Sequence, residues 1–283
     1  MKHNYSKAVS IVIIAAIYAI AAGIGLFVFA LSLVSMPETY ALLAADVVAT
    51  LIVWGWGLVY ENVSVYDPYW SVAPPIIFTA WAAWKGILNL PVAMLLTAVW
   101  LWGIRLTWNW AYTFKGLGHE DWRYTKYRMV QKPLLFQLTN LFGLNMMPTL
   151  LVFACMLPGL GLFGSSAPTT AITWLGFAIC LAAVTIELAA DTTSHRFRDE
   201  HPGEICEEGL WRNGRHPNYC GEMSFWWGVW VMYASLEGID WLILAPIAMS
   251  ALFLFISIPM MEKRQLANKP GYAEYRERTR LLI

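Results

Sequence analysis

From Ala8 to Met36 the chain runs without a single charged residue. A helix rises 1.5 Å per residue, so about 20 mostly apolar residues cross the roughly 30 Å of hydrocarbon in a bilayer. The apolar core of a signal peptide spans only about 7–15 residues and precedes a small-residue cleavage site. No such site follows Met36, so the stretch is expected to persist as a span. Besides 8–34, seven segments are long and apolar enough to span in the same way: 41–60, 71–88, 91–114, 136–157, 171–195, 219–236 and 240–261. The expected fold is all-α, a polytopic transmembrane helix bundle of about eight spans. Pro74 and Pro75 should start the third segment, the weakest of the set, and Pro148 should kink or break the fifth, because proline lacks the N–H that continues a helix.

Composition agrees. Hydrophobic residues make up 58% of the 283 and charged ones 13%, about half the charged share of a soluble domain. The sixteen Trp suit the membrane interface, where an apolar ring and a polar N–H are both accommodated. A net charge of zero offers nothing to a nucleic acid. Cys155, Cys180, Cys206 and Cys220 form no CxxC pair, so neither a disulfide framework nor a zinc site is expected. The five His are not grouped as di-iron ligands, and metal-free chemistry is expected.

Lysine and arginine are retained on the cytoplasmic side of short loops. With the amino terminus inside, every basic residue except Lys85 and Arg105 falls on that side, from Lys2 and Lys7 through 115–132, 196–215 and 263–280. This pattern calls for an even number of spans and two cytoplasmic termini. The outer connections, 35–40, 86–90, 158–170 and 237–239, are short and plain. The inner ones, 61–70, 115–135, 196–218 and 262–283, carry the Asp, Glu, His, Asn and Tyr, so the chemistry is expected on the cytoplasmic face.

Three regions could carry that chemistry. Glu187, Asp191 and His195 recur every four residues along one helix face, and ionisable groups at membrane depth are paired or functional. Further on, Arg215-His216-Pro217-Asn218-Tyr219-Cys220-Gly221-Glu222 leads from a polar loop into a Trp-rich helix. Pro217 suits the first turn, and the N–H groups after it favour an anion. Arg215 and His216 add donors, Arg being suited to bidentate phosphate contact, whereas Arg212 alone reads as interface charge. The third region begins with Arg105 inside a span, a ligand candidate that could instead snorkel to the interface. It continues through Asn109, Tyr112 and His119-Glu120-Asp121-Trp122-Arg123-Tyr124.

The Arg215–Glu222 segment, the Asp191 and Arg198 spacing, and Pro270-Gly271-Tyr272-Ala273-Glu274-Tyr275-Arg276 with Arg278 and Thr279 resemble the carboxy-terminal half of the steroid 5-alpha-reductase family. Asn62-Val63-Ser64-Val65-Tyr66-Asp67-Pro68-Tyr69-Trp70 and the His119–Tyr124 stretch look like signatures of its bacterial branch of membrane proteins. The resemblance implies a reductase that binds NADPH between its helices and passes hydride to a carbon–carbon double bond conjugated to a carbonyl. By that likeness Asp191, Arg198, Asn218, Glu222 and Tyr275 surround the cofactor, with Arg105, Arg215, His216 and Tyr219 as further candidates from their chemistry. Residues 1–135 would then hold the substrate-side loops and 136–283 the cofactor loops of one continuous membrane domain. The acid and phenol that hold the substrate carbonyl match no single pair. Glu61 or Asp67 could be the acid, and Tyr66, Tyr112 or Tyr124 the phenol.

Two other readings compete. Isoprenylcysteine carboxyl methyltransferases also join an Arg-His-Pro segment to a membrane helix and would take S-adenosylmethionine. Against them, the later helix ends in Glu262-Lys263-Arg264 without paired glutamates. A non-catalytic lipid-binding or transport protein would explain the spans alone, but no inverted repeat is visible. The expected partners are the bilayer and a lipophilic small molecule; the sequence names no protein partner.

Overall fold

The computed structural model describes residues 5–283, so Lys2 lies outside the described residues. The described chain is helical throughout, with helices α1 (Lys7–Ser32), α2 (Glu38–Val59), α3 (Tyr69–Lys85), α4 (Leu90–Thr113), α5 (Trp122–Val130), α6 (Pro133–Leu138), α7 (Met147–Gly161), α8 (Ala171–Glu200), α9 (Pro217–Glu237), α10 (Leu244–Leu252), α11 (Ile258–Asn268) and α12 (Tyr272–Arg278). No strand occurs among the described residues; an isolated parallel bridge joins Gly214 and Arg280.

Among the described residues, six helical stretches are long and apolar enough to cross a membrane: Lys7–Ser32, Glu38–Val59, Leu90–Thr113, Pro133–Gly161, Ala171–Glu200 and Trp241–Asn268. The chain is thus an all-helical, multi-pass membrane protein. Only 22% of the most apolar stretch of α1 is buried, and Val12, Leu26, Phe27 and Leu31 stand exposed on it. Such a surface suits lipid rather than water. The other two expected segments also fold as helices but are not among the six. α3 has 17 residues, and α9 buries Glu222 among its aromatic residues. The two prolines expected to start the third segment sit inside α3, which begins at Tyr69.

Pro148 neither kinks nor breaks its span in isolation. A π-helical segment, Thr139–Met146, lies immediately before Met147-Pro148. The same arrangement recurs at Phe253–Ser257, just before Ile258-Pro259. A proline ring clashes with the carbonyl four residues back. A π turn shifts that register by one residue, which relieves the clash and lets each span continue.

The chain forms two compact units, both discontinuous in sequence: residues 1–77 with 106–153, and residues 78–105 with 154–283. In the first, α1 packs along α2, and the core gathers Ile14, Ile17, Tyr18, Val53, Val65, Tyr66 and Tyr69. Asn62 pins the loop after α2. Its amide donates to the carbonyls of Leu117 at 2.7 Å and His119 at 3.0 Å, and its Oδ1 accepts from Ser64 N at 2.8 Å. In the second unit, α8 and α9 pack closely along their length. Glycines make that possible: a Cβ on Gly176 would lie 2.7 Å from Met232 N, one on Gly221 2.9 Å from Ala183 O, and one on Gly228 2.8 Å from Gly176 O.

Candidate functional site

Close packing of α8 on α9 sets up the main cluster of the second unit. Arg105, near the end of that unit's part of α4, is 7% exposed. Its Nη1 donates to Asp191 Oδ2 at 2.9 Å, and its Nη2 pairs with Glu187 and lies 3.7 Å from Glu222 Oε2. Glu222 also accepts from the indoles of Trp102 and Trp226, both at 3.0 Å. Asn218 donates to Asp191 Oδ1 at 3.4 Å. Arg105, Asp191, Asn218 and Glu222, drawn from three separate stretches of sequence, therefore form one bonded group. Arg105 points into protein rather than snorkelling out.

Beside Asn218 lies a cavity of about 110 Å³ whose walls include Trp211, Arg215, His216, Asn218, Tyr219, Tyr272 and Tyr275. Local sequence explains its shape. Gly209 adopts φ 53° ahead of a 3₁₀ turn, Gly209–Arg212, and Pro217 opens α9 at its first turn. Gly271, at φ 79°, starts α12 and turns the tail back. The Tyr275 hydroxyl then donates to Trp211 O at 2.6 Å, while Trp211 Nε1 donates to Ala190 O at 2.8 Å. Tyr219 stacks on His216 with rings 5.4 Å apart.

Arg215 holds the tail. Its Nε donates to Glu262 Oε1 at 2.7 Å, its Nη1 to the carbonyls of Arg276 at 2.8 Å and Thr279, and its backbone N–H to Arg280 O at 2.9 Å. Glu262 also receives Arg276 Nε at 3.1 Å and lies 3.4 Å from His216 Nε2. Burial pushes the His216 imidazole toward its neutral form, and Glu262 opposes that shift. Arg198 stands apart from the cavity walls, exposed in the last turn of α8 with Nη2 2.7 Å from His195 Nδ1. His195 accordingly meets Arg198, while Glu187 and Asp191 meet Arg105.

In the first unit, one of the expected acid–phenol combinations is a bonded pair: the Tyr124 hydroxyl donates to Asp67 Oδ1 at 2.5 Å. Burial pushes the Asp67 carboxyl up to about 6, against the pull of Arg123 and of the Tyr124 hydrogen bond. Tyr66 donates to or accepts from Thr149 at 2.7 Å, and Thr149 meets Thr50 at 2.9 Å. Glu61 is exposed at φ 51° and offers its carbonyl to Arg128 at 3.2 Å. Tyr112 is 49% exposed, its carbonyl accepting from Lys7 at 3.1 Å.

Two groups were missed from the sequence. Asp46, 6% exposed on α2, accepts from the Tyr69 hydroxyl at 2.7 Å; a lone carboxylate inside an apolar span was the signal for it. Glu262, which gathers Arg215, His216 and Arg276, entered the sequence reading only through the absence of a second glutamate beside it.

Residues 53–279 match the family described as "Protein of unknown function (DUF1295)". An uncharacterized protein of Schizosaccharomyces pombe is 23% identical over 257 residues, covering 80% of this chain and 74% of its own length. No solved structure matches the chain.

Proposed function

The chain belongs to the DUF1295 family, which includes steroid 5-alpha-reductase-like membrane proteins, and we propose that it is a membrane-embedded, NADPH-dependent reductase. Its substrate is a lipophilic enone, steroid- or isoprenoid-like, reduced at the carbon–carbon double bond conjugated to the carbonyl. The observation that carries this reading is the convergence in the second unit. Arg105, Asp191, Asn218 and Glu222 form one buried group, and Asn218 extends it to a cavity walled by Arg215, His216, Tyr219 and Tyr275.

These residues fit a dinucleotide in kind. Asn218, Asp191 and Glu222 offer the donors and acceptors a carboxamide needs. Tyr219, Tyr272 and Tyr275 offer flat apolar surfaces, and Arg198 and the start of α9 favour phosphate. When bound, the nicotinamide supplies hydride. Charge then develops on the substrate carbonyl oxygen, and a phenol held by a carboxylate stabilises it. Tyr124 with Asp67 is one such pair, and Tyr69 with Asp46 is another.

Ligand pockets usually measure about 300–1,000 Å³, so a cavity of about 110 Å³ admits a dinucleotide only when the tail over it moves. With α3 and α9 crossing as well as the six longer stretches, the positive-inside rule places both termini and this cavity on the cytoplasmic face, in the inner membrane of a bacterium.

Thermal unfolding of the detergent-purified chain tests the reading. NADPH at a hundredfold excess over its Kd should stabilise by about 2.7 kcal/mol, and adding a conjugated enone should then oxidise it. Stabilisation by S-adenosylmethionine with none by NADPH would assign methyl transfer instead.

A further inference from the structure

The group around Arg105 is unbalanced. One guanidinium faces three carboxyls, those of Glu187, Asp191 and Glu222, and all four residues are at most 8% exposed. Fully ionised, the group would hold an excess of two negative charges in a setting where buried charge needs a partner or a proton.

Their hydrogen bonds are shared unevenly. Glu222 is met by two indole donors and lies near Arg105. Asp191 is met by Arg105 and Asn218, one donor on each oxygen. Glu187 pairs with Arg105 through Oε2, while its Oε1 is buried with no hydrogen-bond partner. Oε1 faces Gly221 of α9, where a built Cβ would lie 3.1 Å from it. A buried carboxylate oxygen without a donor is costly, whereas a carboxylic acid carries no charge to bury.

We propose that Glu187 is a proton-binding site: at neutral pH it is a carboxylic acid with the hydrogen on Oε1, the buried oxygen that has no hydrogen-bond partner. The groups facing it are Arg105 from α4, Asp191 on its own helix, and Glu222 from α9, with the Cys155 thiol of α7 within electrostatic reach of Glu222. One proton leaves Arg105 between two ionised partners, each with its own further donors. It also ties the site to the cavity. A ligand that draws Asn218 away from Asp191 removes one of the donors that keep Asp191 ionised and strengthens the group's hold on its proton. Proton occupancy and cavity occupancy are therefore linked, and linkage acts equally in both directions. This inference is independent of which molecule the cavity takes.

Infrared difference spectra of the full chain in lipid nanodiscs test it, wild type minus Glu187→Gln at neutral pH, in H₂O and D₂O. The expected difference is the C=O stretch of a protonated carboxylic acid, shifted down on deuteration and unchanged on an Asp46→Asn background. Carboxylate bands in its place overturn the proposal. Thermal unfolding gives a second reading, since an amide is the shape of the neutral acid. Glu187→Gln should unfold within a degree or two of wild type and Glu222→Gln clearly lower. Failure of Glu187→Gln to fold, or an equal loss in both variants, also overturns it.

Discussion

Arg215 donates from Nε to Glu262 Oε1 at 2.7 Å, and through that contact the loop before α9, the middle of α11 and the tail become one assembly. Its Nη1 donates to the carbonyls of Arg276 and Thr279, so the guanidinium acts here as a clasp rather than as a free phosphate ligand. Arg215→Gln, or deletion of 271–283, should leave an inserted, monodisperse protein whose affinity for NADPH falls about tenfold or more, the scale of one lost charge-assisted hydrogen bond. Tyr275→Phe should show a smaller loss in the same direction. A truncated chain that binds as tightly as the full one would reduce the tail to a membrane-surface anchor.

Asn218→Ala and Arg198→Ala should weaken NADPH binding more than folding. Each loss is expected at roughly ten- to hundredfold in Kd, read by titration of protein with an unchanged unfolding midpoint. Arg198 is exposed, so its removal should change stability by no more than about 0.5 kcal/mol. Unchanged affinity in both variants removes these residues from the cofactor site.

Asp67 gives a pH dependence with a definite sign. Burial holds its carboxyl at about 6 in the folded chain, above the unfolded value of about 3.9. The folded state therefore binds this proton more tightly, and the stability it confers is complete below about pH 4 and lost as pH rises through about 6. The unfolding midpoint of wild type relative to Asp67→Asn should fall across that window and level off above it. A flat difference would show that Asp67 is not held protonated by burial.

Gly221→Ala should destabilise strongly, because its Cβ would lie 2.3 Å from Glu187 Cγ and 2.9 Å from Ala183 O. Overpacking of this kind costs about 1–3 kcal/mol. Gly23→Ala, with nothing within 4 Å of its Cβ, should be neutral or slightly stabilising. Equal midpoints for the two variants would mean that α8 and α9 do not approach as closely as described.

The orientation is open to direct labelling. On a cysteine-free background, single cysteines at Lys126 and Glu277 should react with a membrane-impermeant thiol reagent only after the membrane is opened. Labelling of either from outside intact cells overturns the cytoplasmic placement of both loop and tail.

Much of this was legible locally. Apolar run length picks out the six long spans among its eight segments, and Pro217 and Gly271 mark where α9 and α12 begin. The Tyr124–Asp67 pair could be narrowed to a few candidates because both residues lie in unusually polar inner connections. What stayed hidden depends on contacts distant in sequence. Glu262 gathers Arg215, 47 positions away, and Tyr69 finds Asp46 from the next helix. Burial of a charge can be read from its apolar neighbours, but its partner cannot. The π segments were equally silent, since Pro148 predicted a fault in its helix and not the compensation upstream of it, and Pro259 drew no expectation.

That compensation sets the rotational phase of everything that follows. A helix turns about 100° per residue, so the residue accommodated in Thr139–Met146 determines which way Thr149 faces. In its present phase Thr149 meets both Thr50 and Tyr66. Deleting one residue from that stretch would restore an ordinary α register while swinging Thr149 roughly a quarter-turn from its partners, so the wide turn is a spacer that the hydroxyl contacts of the first unit require.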